Sequence, residues 1–548
     1  MGVRAAAPPG GAGGYCAAVS AGEDSAVREA GPSRGLAATV ARGSSWQIAA
    51  QVAPLVVNIL LTPVIISGLG IDRYGLFLLV NVVAAVLMCL DGGFGQAALR
   101  YFPIYAGTDD RRAITRLLTS MLTCAALFTS VVFGALWVLT PQGMQLFTIP
   151  DDLNAEGVFL MRALLVIVVM GLLRAQFHAI LVAYQQFALP NVTAMLGHVV
   201  YAVGTLLTVA HGWGLYGMGW TMLAQQVLPT FLLVPAACRH LTTSAIGFIS
   251  RSEFRQFGRY ALQMQWTNLM LLGTQHADGL LVGAFLPVRQ VAYYGAGANF
   301  ALQVRNVPFN ALVPVQSILG RSVGLRGPEG AIPDFERLQR LWVIAITGYG
   351  TVAMAAAWFG ITSWLGDDFA ISGTVAVIML AAYLASLLPG VLGLWTQVLG
   401  RPELNARAVS LAAVLNIVLT LALIGPFGII GTVLATAVSQ VGFMLLLIRL
   451  ARSRLPIPVR GALRDVPVVA ALAAAFLVVA LELVARPYLP QGPLGLVLVG
   501  LVAAPGLLLY AVMTFGSQKV WSIVTTVAQR VRGRGNNVPA DDAVRDQP

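Results

Sequence analysis

Apolar stretches of about 20 residues, long enough as helix to cross ~30 Å of hydrocarbon, recur from residue 46 to residue 514 with only short polar breaks. No other feature constrains the fold as strongly, because in lipid every backbone polar group must be satisfied within the span, and helices do this by themselves. Fourteen spans are read: 46–68, 74–96, 117–139, 158–183, 190–211, 214–237, 261–286, 291–317, 341–364, 372–397, 405–425, 428–449, 466–485 and 493–514. Composition agrees. Hydrophobic residues make up 57% of the chain and charged residues only 10%, against about a quarter charged in a soluble domain. The expected fold class is an all-α polytopic membrane protein.

An even number of spans puts both termini on one side, and the arginines say which. The N-terminal tail, the loops after spans 2, 6, 8, 10 and 12 and the C-terminal tail hold 28 of the 34 basic residues; Arg73, Arg289 and Arg486 lie opposite. The positive-inside rule therefore places both termini in the cytoplasm. The net charge of +11 reflects that orientation and contact with anionic membrane lipids, so no nucleic-acid partner is expected. Cys16, Cys89, Cys124 and Cys238 are scattered and form no ligand cluster, so neither a disulfide, a metal site nor a cofactor is expected. Residues 1–45, rich in Gly, Ala and Pro, read as a disordered tail.

The chain also repeats itself. Tyr74-Gly75 matches Tyr294-Gly295, Asp151-Asp152 matches Asp367-Asp368, and Pro190 matches Pro402. WGLYGMGWTMLAQQV (213–227) aligns with FGIIGTVLATAVSQV (427–441), bringing Gly214, Gly217 and Gln226 onto Gly428, Gly431 and Gln440. The offsets run from 212 to 220, always at equivalent points of the topology. Spans 1–6 and 7–12 thus read as two parallel copies of a six-helix unit, an arrangement of secondary transporters in which two lobes face a central site. The resulting division is a cytoplasmic tail (1–45), an N-lobe (46–240), a C-lobe (255–450), two extra helices (465–515) and a C-terminal tail (516–548).

Polar residues fall in register within this frame. Asn299, Gln303, Asn306 and Asn310 are spaced by four, three and four along span 8. Gln47, Gln51, Asn58 and Thr62 step along span 1, while span 7 offers Gln265, Asn268 and Gln275. Such amides either glue helices together, at ~0.6–2 kcal/mol each, or line a wet pathway; four in register on corresponding helices favour lining. Charges inside the membrane are costlier. Arg305 in span 8 needs water or a partner and is read as functional, with an ion pair to Asp278 or Asp91 as the alternative. Arg174, one turn from His178, is open between function and structural pairing, and Asp278 between cation coupling and counter-charge. His198 is read as a packing histidine. A cavity with arginines favours anionic cargo, since guanidinium offers paired donors to phosphate.

Three segments carry a resemblance: LDGGFGQAALRYF (90–102), ADGLLVGAFLPVRQVAYYGAGANF (277–300) and ISGLGIDRYGLFLLV (66–80). Together with the 6+6+2 layout, they resemble the Wzx-type polysaccharide flippases of the multidrug/oligosaccharidyl-lipid/polysaccharide (MOP) exporter superfamily. The resemblance implies a V-shaped two-lobed transporter of the bacterial plasma membrane. Such a protein moves a polyprenyl-(pyro)phosphate-linked oligosaccharide to the outer leaflet, alongside glycosyltransferases and a polymerase of the same pathway. It further implies that cavity cations receive the phosphates, for which Arg305, Arg100 and Arg174 are the available positions. Span 1 has no charge between Arg42 and Asp72, unlike the lipid II flippases of the superfamily, which speaks against that cargo. A cation-coupled multidrug exporter of the same superfamily is the first rival; it would want more carboxylates in the cavity. A multispan glycosyltransferase using Asp151-Asp152 or Asp367-Asp368 is a remote one.

Overall fold

The computed structural model describes residues 57–517, apart from 89–94, 96, 97, 99, 100, 103, 104, 107–109, 148, 185, 187, 246, 256, 260, 263, 264, 266–276 and 456–465. The N-terminal tail, the C-terminal tail beyond 517, half of span 7, Asp91 and Arg100 fall outside the described residues. Among the described residues the chain is helical and contains no strand. The first half holds α1 (Val57–Leu69), α2 (Ile71–Met88), α3 (Arg111–Met144), α4 (Asn154–Ala183), α5 (Ala188–Ala210) and α6 (Gly214–Cys238). The second holds α7 (Ala277–Phe285), α8 (Val288–Asn310), α9 (Leu312–Gly330), α10 (Ile332–Leu365), α11 (Ala370–Leu387), α12 (Gly390–Val398) and α13 (Pro402–Arg454). Then follow α14 (Val468–Ala485) and α15 (Pro493–Phe515). Ten described helices are long and apolar enough to cross a membrane, making this a multi-pass membrane protein.

The boundaries have local causes. Gly70, at φ 82°, turns the chain between α1 and α2, and its amide returns to the Ile66 carbonyl at 2.9 Å. Asp110 caps α3, its side chain accepting from the Ala113 amide at 2.9 Å, so this helix begins six residues before the apolar run. In the connector between the halves, Ser250 and Glu253 form a capping box: the Glu253 carboxylate accepts from the Ser250 amide and hydroxyl. Those two donors hold the exposed carboxyl below the usual glutamate range.

At 53 residues, α13 would be ~80 Å long if straight, more than twice the hydrocarbon thickness. It is not straight. Gly428, at φ 56° and ψ −137°, reverses it, and the Asn416 side chain donates to Thr436 Oγ1 at 3.1 Å across the hairpin. The equivalent reversal before α6 uses Gly214 at φ 58°. Gly217 and Gly431, three residues beyond, are each pressed against the preceding helix, at Thr208 and at the Leu423 carbonyl. Asp151–Leu153 and Asp367–Phe369 are both single 3-10 turns opening a helix. The sequence matches therefore mark matching backbone.

Two departures from the sequence reading are local. Helix α9 occupies part of the segment where a loop was expected; it breaks at Gly327 (φ 72°, ψ 172°), and an Arg326–Asp334 ion pair spans the break, with Ser322 donating to the same carboxylate. Span 10 divides at Pro389 into α11 and α12. The division between spans 11 and 12, by contrast, falls at Gly428 as read.

In the first half, α4 packs against α3, α6 and α2, and α5 against α6. In the second, α11 is flanked by α8, α10 and α13, and α7 lies on α13. Helices α14 and α15 pack on each other and on α10, outside both groups. The halves meet along α2 and α8, whose buried faces share one continuous apolar core.

Candidate functional site

Tyr74-Gly75 opens α2 and Tyr294-Gly295 lies early in α8; these pairs make the seam between the halves. Both tyrosines are buried. Gly75 lets the α8 backbone approach closely: a Cβ there would stand 1.9 Å from the Val288 carbonyl oxygen. Gly295 faces the Leu78 side chain of α2. The seam lies at the end of the bundle that carries the acidic turns, where Arg73 forks onto Glu156 (2.9 Å) and Arg486 pairs with Asp367 (2.9 Å).

Beneath the closed seam is a cavity of about 540 Å³ walled by both halves. From the first half, α1 contributes Asn58 and Thr62, α2 Tyr74, Phe77 and Asn81, α5 His198 and Tyr201, and α6 Gln225. From the second, α8 contributes Asn299, Phe300 and Gln303, and α10 Tyr349 and Trp364. The four-residue steps 58–62, 77–81 and 299–303 aim one face of each helix inward. Two hydrogen bonds fix the walls: Trp364 Nε1 donates to the Ile59 carbonyl (2.9 Å), joining the halves, and Tyr349 to the Val304 carbonyl (2.8 Å). Asn81 donates to the Phe77 carbonyl at 2.7 Å. The side chains of Asn58, His198, Gln225, Asn299 and Gln303 have no hydrogen-bond partner among the described residues, leaving donors and acceptors free toward the cavity.

The amide stripes thus converge, though more narrowly than their spacing suggests. Asn306 is partly buried and is not among the cavity residues; only the backbone of Asn310 is described; Gln51, Asn268 and Gln275 lie outside the described residues. Arg305 and Arg174 do not join them. Arg305 points to the other side of α8, its guanidinium 4.9 Å from the Phe309 ring and 5.2 Å from the Tyr383 ring, with Nε buried and without a hydrogen-bond partner among the described residues. Arg174 sits partly buried on α4 with no polar partner among the described residues, and Arg100 lies outside them.

Asp278 is not the counter-charge of Arg305. It is held inside the second half, in hydrogen-bond contact with Thr436 and accepting from Thr420 at 3.3 Å, one hydroxyl from each arm of the α13 hairpin. The Asp91 alternative lies outside the described residues. His198, read as a packing residue, lines the cavity instead. Gln225, Tyr201 and Trp364 were not singled out by the sequence; a glutamine in mid-span was the one available signal.

A family model described as "Polysaccharide biosynthesis protein" matches residues 69–317. The "Probable low-salt glycan biosynthesis flippase Agl15" of Haloferax volcanii is 36% identical over 74 residues, 14% of this chain and 16% of that protein's length. Among solved structures, the lipid II flippase MurJ in an inward closed conformation superposes with a TM-score of 0.65 at 13% identity, covering 86% of this chain and 98% of MurJ. An inward-facing multidrug resistance MATE transporter of the MOP superfamily gives 0.57 at 14%, covering 71% and 93%. These are flippases and transporters, not an enzyme class. The likeness to polysaccharide flippases carried by residues 66–80, 90–102 and 277–300 is borne out by the family match, the flippase relative and a shared architecture: the chain has the fold of the MOP exporter superfamily.

Proposed function

We propose that this protein flips a polyprenyl-(pyro)phosphate-linked oligosaccharide from the cytoplasmic to the outer leaflet of a bacterial plasma membrane, by alternating access, for cell-surface polysaccharide synthesis. The observation that carries the reading is the cavity between the halves, closed at one end by the α2–α8 seam and lined by carboxamides, of which Asn58, Gln225, Asn299 and Gln303 find no partner among the described residues. In this reading the chain crosses the membrane fourteen times, with spans 1–6 (46–240) and 7–12 (255–450) as rocking lobes and both termini cytoplasmic. The acidic turns then face outward and the seam is the shut outer gate.

Each candidate has a role. Asn58, Gln51, Asn268, Gln275, Asn299, Gln303, Asn306 and Asn310 line the glycan path in one state or another. Arg305, Arg100 and Arg174 receive phosphates. Arg305 suits that role because its guanidinium rests on aromatic rings and holds no carboxylate among the described residues. Asp278, caged by hydroxyls, is the coupling carboxylate, with Asp91 a second candidate. A cation exporter would want acids in the cavity, and none lines it among the described residues. Asp367 is tied to Arg486, which weighs against catalysis at the acidic turns. Glycosyltransferases and a polymerase of the same pathway are the expected partners. The reading is tested in proteoliposomes holding an undecaprenyl-pyrophosphate-linked oligosaccharide: accelerated transbilayer movement is expected. Efflux of lipophilic cations without glycan movement would replace the reading with the multidrug one.

A further inference from the structure

The cavity wall has a definite chemistry. Its five carboxamides are Asn58, Asn81, Gln225, Asn299 and Gln303, interleaved with the aromatic rings of both halves. Among the described residues lining it there is no Asp, Glu, Lys or Arg. The intramembrane charges nearest in sequence turn away: Arg305 onto Phe309 and Tyr383, Asp278 into the threonines of α13.

A carboxamide offers a donor and an acceptor side by side, which matches hydroxyl groups that both give and take hydrogen bonds. Aromatic faces supply flat apolar area against which the C–H face of a pyranose ring packs. A volume of about 540 Å³ lies within the range of small-molecule sites. A carboxylated sugar fits this wall badly, because it would lose water and gain no cation. We propose that the cavity is a subsite for uncharged sugar rings, so that the glycan moved is neutral in the portion it holds, and the (pyro)phosphate is met elsewhere. This deepens the flippase reading and rests on it.

The test uses matched undecaprenyl-pyrophosphate disaccharides in proteoliposomes: glucosyl, galactosyl and mannosyl compounds, each beside its uronic acid. Movement is read as the fraction of glycan reached by impermeant periodate. His198 is the lining imidazole that could become cationic, so the assay is run near pH 8, above the ordinary imidazole value of about 6.5. The best neutral compound should move at least about tenfold faster than the best uronate, the ratio expected when a charge is left without its stabilising hydrogen bond. Gln303→Arg, which places a guanidinium in the wall, should narrow or reverse that ratio. The wild-type comparison decides the matter even if the variant fails to fold. Uronates moving as fast as neutral sugars overturn the inference and leave the flippase reading standing. Movement of neither class removes the flippase reading and this inference with it.

Discussion

Replacing Gly75 with alanine should shift the conformational equilibrium of the protein without unfolding it. The new methyl would stand 1.9 Å from the Val288 carbonyl oxygen, 2.8 Å from its carbon and 3.3 Å from the Ala292 nitrogen, all backbone of α8. A tolerable carbon–oxygen contact is roughly 3.3 Å, so α2 and α8 must part by about 1.4 Å. Overpacking of this kind costs ~1–3 kcal/mol. The penalty applies only while the seam is shut. The gain of about 1 kcal/mol from alanine over glycine in a helix applies in every conformation, and so cancels from the equilibrium while offsetting loss of global stability. A seam-open state should therefore gain roughly 5–150-fold in population, with little change in Tm. Gly295→Ala is the control, because its methyl meets only Leu78 Cδ1 at 2.7 Å, a side-chain tip that can swing aside.

The assay is labelling of Asn299→Cys, introduced after the four native cysteines are removed, by an impermeant maleimide applied from the side of the acidic turns. Gly75→Ala should speed labelling by about the factor given, and Gly295→Ala by less than about threefold. Equal rates in both variants, or no change in either, would show that this seam is not what separates the cavity from that side.

Asp278→Asn removes the charge that Thr420 and Thr436 surround, and should abolish dependence of transport on an imposed proton or sodium gradient while downhill flipping continues; unaltered gradient dependence would make Asp278 structural. Arg305→Ala should abolish complementation of a flippase-deficient strain with normal membrane insertion, and Arg305→Lys should restore part of it; wild-type flux in the alanine variant would remove the residue from the mechanism. Glu482 on α14 is fully buried, and neither carboxyl oxygen has a hydrogen-bond partner among the described residues. Glu482→Leu should therefore raise stability by ~1–3 kcal/mol, read as a higher Tm in detergent, and a lower Tm would reveal a partner for the carboxyl in the folded protein.

What could be read from the sequence follows from which forces are local. Helical spans are set by apolar length, so α4, α5, α6, α14 and α15 lie within four residues of the expected ranges, whereas the capped α3 starts six residues early and ends five late. The duplication was legible at the hairpin reversals, where backbone demands glycine: Gly214 and Gly428 hold φ 58° and 56°, values other side chains resist, and the need was met twice at the same point of the topology. The α8 stripe was legible in part. A spacing of four from Asn299 to Gln303 fixes a face, and that face does look into the cavity.

Arg305 shows where such reasoning stops. It lies two residues beyond Gln303, about 200° round the helix, so it could not share the stripe; yet a mid-span arginine invites assignment to the nearest polar surface. A transmembrane helix packed between lobes has two polar-tolerant directions: one toward the cavity, the other into its own lobe. Periodicity separates these faces but does not say what each one meets. Tyr383, which takes the guanidinium, belongs to α11, and the threonines that hold Asp278 are 142 and 158 residues away in the chain. Charge–partner assignments in a two-lobed bundle are therefore set by packing within a lobe. Two opposite charges in adjacent spans, such as Asp278 and Arg305, belong together only if their faces coincide, and here Asp278 turns to the α13 hairpin and Arg305 to α11. With its charge matched by no carboxylate among the described residues and its Nε without an acceptor among them, Arg305 keeps a capacity for an anion that the described part of its own lobe does not fill.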